Sequence, residues 1–118
     1  MTISGTGTIP AAEALPLTDL IVPSPRGIAS RVLAKSSAGN VTLFAFDAAE
    51  GLSEHTTPFD ALVVVLDGSL TLIIGEQPVH ATPGTIVRMP AHVPHSLTAE
   101  LPTRMLLILL RELPQPPR

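Results

Sequence analysis

The 118-residue chain contains no cysteine, no tryptophan and no tyrosine, and its only aromatic residues besides histidine are Phe44, Phe46 and Phe59. Without cysteine there is neither a disulfide framework nor a thiolate metal site, which fits a reducing compartment. Basic residues are few and scattered, 7 against 10 acidic ones for a net charge of −3. There is accordingly no basic stripe to follow a phosphate backbone, and no aromatic platform on which bases could stack. No nucleic-acid partner is expected. Long apolar runs are missing as well. ALVVVLDGSLTLIIG is broken at Asp67-Gly68, far short of the roughly twenty unbroken apolar residues of a membrane span. The opening MTISGTGTIPAAEA has neither the basic nor the apolar part of an export signal. These absences predict a soluble, cytoplasmic protein without membrane association. No Gly-rich phosphate loop and no nucleophile elbow is present.

What remains is an aliphatic chain, 45% hydrophobic, punctuated by 8 glycines and 13 prolines. Its length sets one domain with a core of its own. Residues 1–27 read as an N-terminal arm whose first eight or so residues are disordered. Only Ala11 to Leu15 looks helical, between Pro10 and Pro16. The apolar triplet Leu20-Ile21-Val22 is expected to pack, either as an added edge strand or as a cover over an open sheet face. Residues 28–112 form the barrel, and the Pro-rich tail 113–118 is expected to fray.

Within the barrel, short β-branched runs alternate with Gly/Pro/Asp turns. Strands are predicted at Ala29–Ala34, Val41–Phe46, Ser53–Thr57, Ala61–Leu66, Ser69–Ile74, Val79–Ala81, Thr85–Met89, His95–Ala99 and Arg104–Arg111. Asp67-Gly68 reads as a tight hairpin reversal. The pattern is that of an all-β sandwich or barrel of antiparallel strands. Val41–Phe46 carries apolar side chains on both faces, and Met105–Leu110 has no polar face at all. Such strands must be covered on each side. With no outer helix to do so, a twofold partner is expected to bury the outer face, making a homodimer.

All four histidines fall between Gly51 and Leu97. His55 and His95 stand on strands that can meet on one wall, and imidazole is both the commonest metal ligand and a ready acid or base. His80 reads as an outward hairpin side chain, and Glu54 points away from His55's face. Met89 and Phe59 are candidates for the pocket mouth, with core filling the simpler role for each. Arg104 begins the last strand, where it either holds a carboxylate or is solvated.

Two spaced motifs run through this region. The first, G-x5-H-x-H-x3-4-E-x6-G, is met at His55 and Gly68, with Thr57 in the second histidine slot and Ala61 in the glutamate slot. Its leading glycine is out of register, Gly51 lying four residues before His55. The second, G-x5-P-x-G-x2-H-x3-N, is met at Gly84, Pro90 and His95, with His92 in the glycine slot and Ala99 in the asparagine slot. On these residues the chain resembles the cupins, small double-stranded β-helix (jelly-roll) proteins, over about residues 28–112. The resemblance implies a jelly-roll barrel like that of the RmlC-type members. It also implies a pocket at His55, Thr57, Ala61, His95, Met89 and Phe59 for a small organic ligand.

The family's usual metal site takes three histidines and a glutamate, of which this chain keeps His55 and His95. His92, in the turn before His95, is a third candidate ligand. Asp60 is the alternative, provided a bulge after Pro58-Phe59 turns it inward. The cofactor is therefore one divalent ion (iron, manganese, zinc or nickel) or none. The family holds dioxygenases, isomerases, epimerases, decarboxylases and plain binding modules, and fold does not choose among them. Three readings follow. One is a small-molecule-binding protein with a degenerate or atypical site, and another a metal-dependent oxygenase or isomerase acting on a small organic substrate. The third is an effector-binding subunit paired with another protein.

Overall fold

A computed structural model describes residues 8–112. The expectations for the extreme N-terminus and for the tail 113–118 lie outside the described residues. Nine strands follow in order: β1 (Ile28–Ser36), β2 (Gly39–Phe46), β3 (Gly51–His55), β4 (Asp60–Asp67), β5 (Leu70–Ile74), β6 (Gln77–Ala81), β7 (Ile86–Met89), β8 (His95–Ala99) and β9 (Thr103–Leu110). They form two antiparallel sheets, one ordered β1-β2-β9-β4-β7 and the other β3-β8-β5-β6. The fold is a jelly roll. The nine predicted strands all form, their ends differing by at most two residues. Among the described residues the one helical turn, Leu17–Asp19, comes after the segment expected to be helical.

Alternation along the strands fills the space between the sheets. Phe46, Val63, Val65, Leu70, Leu72, Ala99 and Met105 are almost wholly buried there. A second core lies on the outer side of the larger sheet. There Leu20 and Ile21 of the arm pack with Leu33, Leu43 and Ala45. The apolar triplet thus covers a sheet face and adds no strand, and its third member, Val22, stays exposed. Burying Leu20 and Ile21 in this way contributes about 1.5–3 kcal/mol each. The arm is tied down by the Ile9 amide donating to Leu33 O at 2.9 Å and Arg31 Nη1 donating to Leu20 O at 3.2 Å.

Cover by the arm explains the apolar outer face of β2 and of Leu106 on β9. It stops there. Leu62, Val64, Ile86, Ile108 and Leu110, which share that outer face by register, belong to neither core cluster.

One turn differs from the sequence reading. Asp67-Gly68 joins β4 of one sheet to β5 of the other, so it is an arch between layers and not a hairpin. The reason lies in what it packs against. Asp67 accepts the Arg104 amide at 2.8 Å and Arg104 Nη1 at 3.1 Å, which fastens the turn to β9. Gly68, at φ 78°, lies so close to Thr103 and to the Pro102 carbonyl that a side chain there would collide with both. Thr103, 2% exposed, accepts the Ser69 amide at 3.0 Å and closes the arch. Pro83-Gly84 likewise carries the chain between sheets, from β6 to β7. The hairpins with two-residue loops are β1–β2 and β5–β6, the latter turning at Gly75 with φ 62°. Among the described residues, no helix is long and apolar enough to cross a membrane.

Candidate functional site

The site begins with a flaw in pairing. On β3, Leu52 faces Leu97 of β8, and the next aligned pair is His55 with His95. Two residues of β3, Ser53 and Glu54, thus oppose Ser96 alone. Regular pairing would have set Glu54 against His95. The bulge restores His55 to the inner face and leaves Glu54 exposed. The sequence reading sought a bulge at Pro58-Phe59 to bring Asp60 inward. The irregularity falls one strand earlier and serves His55.

The two imidazoles meet. His55 Nε2 and His95 Nε2 are 3.1 Å apart, with ring centroids 4.3 Å apart and planes at 72°. Each ring is held at its other nitrogen by the carbonyl two residues before it: Ser53 O lies 2.8 Å from His55 Nδ1, and Val93 O lies 3.1 Å from His95 Nδ1. A carbonyl oxygen only accepts, so each of these contacts is a hydrogen bond in the tautomer whose Nδ1 carries the proton. In the neutral rings both Nε2 atoms then present lone pairs. His95 is 4% exposed, whereas His55 stands at the open side. Burial lowers the His95 pKa, the bond to Val93 O opposes this, and nearby His55 lowers it further.

The pair faces a cavity of about 120 Å³ between the sheets. Thr57, Ala61 and Met89 line it, together with Leu52, Leu97, Leu107 and Leu109, which the sequence reading did not single out. The signal for them was present: Leu97 shares His95's face at a spacing of two, and Leu107 and Leu109 occupy the inner face of the all-apolar last strand. Phe59 is not part of the lining; its ring lies under the Arg111 guanidinium, 5.2 Å from the centroid.

The other candidates stand elsewhere. Asp60 accepts the Ala91 amide at 2.8 Å and Arg88 Nη1 at 3.1 Å. The Ala91 amide, chiefly, holds its carboxyl below the usual range; burial opposes this and Arg88 supports it. No bulge turns it into the barrel. His92 is exposed on the loop, at φ 65°, with its amide donating to Thr57 O at 2.8 Å. It keeps the left-handed backbone of the glycine slot without bringing its ring to the pair. His80 is exposed. Arg104 holds the carboxylate of Asp67, through Nη1 at 3.1 Å.

A resident centre of three histidines and one carboxylate does not fit these residues. Thr57 and Ala61 occupy two of the four slots, and the Thr57 hydroxyl donates to Phe59 O at 2.9 Å. Among the described residues no group of three or more His, Cys, Asp or Glu is gathered in a way that could hold an ion.

With fold and site in view, comparison with known proteins places the chain. Residues 42–109 match the family model described as Cupin domain. The protein belongs to the cupin family. It is similar to a conserved protein of unknown function from Streptococcus pyogenes, at 28% identity and a TM-score of 0.84, covering 90% of this chain and 93% of that one. A cupin superfamily protein from Desulfitobacterium hafniense shows 29% identity and a TM-score of 0.82, over 88% and 95% of the two chains. A Cupin 2 conserved barrel domain protein from Leptotrichia buccalis shows 32% identity and a TM-score of 0.76, over 80% of this chain and 46% of that longer one. No curated protein matches.

Proposed function

We propose that this cupin binds a small organic molecule in the cavity between its sheets, with His55 and His95 as the polar anchor of an otherwise apolar pocket. The observation that carries this is the Nε2–Nε2 approach of 3.1 Å at the wall of that cavity, with each ring fixed from behind by a backbone carbonyl. A pocket of mostly aliphatic wall and few convergent polar atoms is the usual form of a ligand site. A cytoplasmic setting fits a chain without cysteine.

A metal-dependent oxygenase or isomerase is the second reading, and one observation favours it. The Nε2 atoms of His55 and His95 stand 3.1 Å apart, and together they would hold a divalent ion that could act as a Lewis acid at the cavity wall. The chain supplies only that half of a coordination shell, and two neutral imidazoles alone hold a divalent ion weakly.

Elemental analysis of protein purified without chelator or nickel column separates the two. The ligand-binding reading expects substoichiometric metal and no gain in melting temperature on adding iron, manganese, zinc or nickel. Near-stoichiometric metal that disappears in His55→Ala would reverse the order of the two readings.

A further inference from the structure

We propose that the ligand is a neutral molecule with an apolar body about the size of a benzene ring and one O–H or N–H donor, which it directs from the cavity at the two Nε2 atoms. This rests on the ligand-binding reading above and narrows it by polarity, charge and size.

Polarity follows from the carbonyls behind the rings. With Ser53 O and Val93 O taking the two Nδ1 protons, the pair turns two acceptors on one point. Neither neutral ring can satisfy the other, and while His55 stands at the open side, an unmet acceptor on the buried His95 is costly. The remaining polar side chain of the lining, Thr57, spends its hydroxyl proton on Phe59 O. The missing partner is a donor, and a ligand can bring it.

Charge follows from the lining, in which no Asp, Glu, Lys or Arg takes part. A bound cation would find no carboxylate, and a bound anion no ammonium or guanidinium. Taking either out of water without a counter-charge is prohibitive beside a neutral ligand. Size follows from the volume. An apolar cavity on the order of 150 Å³ accepts benzene, and this one measures about 120 Å³ with an open side at His55.

Three ring compounds of similar bulk test the proposal: phenol, which donates; benzonitrile, which only accepts; and toluene, which does neither. Each is titrated into the full chain while the methyl signals of Leu52, Leu97, Leu107 and Leu109 are followed by NMR. Phenol is expected to bind at least about tenfold more tightly than the other two, and to lose that preference in His55→Leu. Benzonitrile or toluene binding as tightly as phenol would overturn the donor requirement while leaving the pocket reading intact. No shift of these methyls with any of the three at millimolar concentration would overturn both. The comparison among probes is made on the unaltered protein, so it stands even if the variant fails to fold.

Discussion

At the scale of single residues, two histidines do different work according to where the backbone puts them. His95 sits on the pocket floor with its charged form disfavoured by burial. A histidine whose folded-state pKa is lowered stabilises the fold fully above the unfolded value of about 6.5 and loses that contribution as pH falls through the lowered value. Melting temperature is therefore expected to drop as pH falls below about 6.5, at no more than about 1.4 kcal/mol per pH unit. The drop should flatten in His95→Asn. A melting curve unchanged over that range would contradict the burial of this ring. His92 makes the complementary case. It holds a left-handed φ of 65° with its side chain exposed, so His92→Gly removes backbone strain at the cost of chain entropy. Chemical denaturation should place the variant within about 1 kcal/mol of the parent, with phenol affinity unchanged. The pairing of His55 with His95 was legible from the motif spacing. The bulge at Ser53-Glu54 that makes it possible was not, because no glycine or proline marks it and the register comes from β8 across the sheet.

At the scale of elements, the turns carry the lesson. Asp-Gly between apolar runs reads locally as a hairpin, yet the partners of this turn, Thr103 and Arg104, come from a strand more than thirty residues on. Local chemistry predicted a sharp turn with positive φ and obtained one. Which sheet the chain enters next was decided by contacts that no local pattern encodes. Two glycines test the arch. Gly68 and Gly84 share positive φ, but a Cβ at Gly68 meets Thr103 and Pro102, whereas one at Gly84 meets nothing within 4 Å. Gly84→Ala should cost about 1–2 kcal/mol, the strain alone. Gly68→Ala should cost at least about 2 kcal/mol more, measured by denaturant unfolding. Equal costs would show that the close approach at Gly68 is not real. The arm yields a further prediction. Leu20, 2% exposed against Leu43 and Ala45, should lose about 2–3 kcal/mol as Leu20→Ala. That the triplet would pack was readable from its hydropathy. That it would cover β2 and not extend the sheet required the sheet to be seen.

At the scale of the whole molecule, the larger sheet remains open beyond the arm. Leu62, Val64 and Ile108 are half-buried there and Ile86 and Leu110 exposed, with the Arg88–Asp60 ion pair beside them. We propose that a second copy of the chain covers this face. Light scattering at micromolar concentration should give the mass of a dimer, and Ile108→Glu should give that of a monomer; a parent that runs as a monomer would end the proposal. The wall of this barrel was plain in the sequence because period-two alternation and glycine spacing are local. The contents of the site were less so, because Thr57 and Ala61 remove the familiar donors and leave a pair whose meaning depends on protons. Long-range ¹H–¹⁵N NMR of the imidazoles at pH 7.5 reads those protons directly. Both His55 and His95 should appear as the Nδ1–H form, with Nε2 bare toward the cavity, and an Nε2–H signal from either ring would contradict the account.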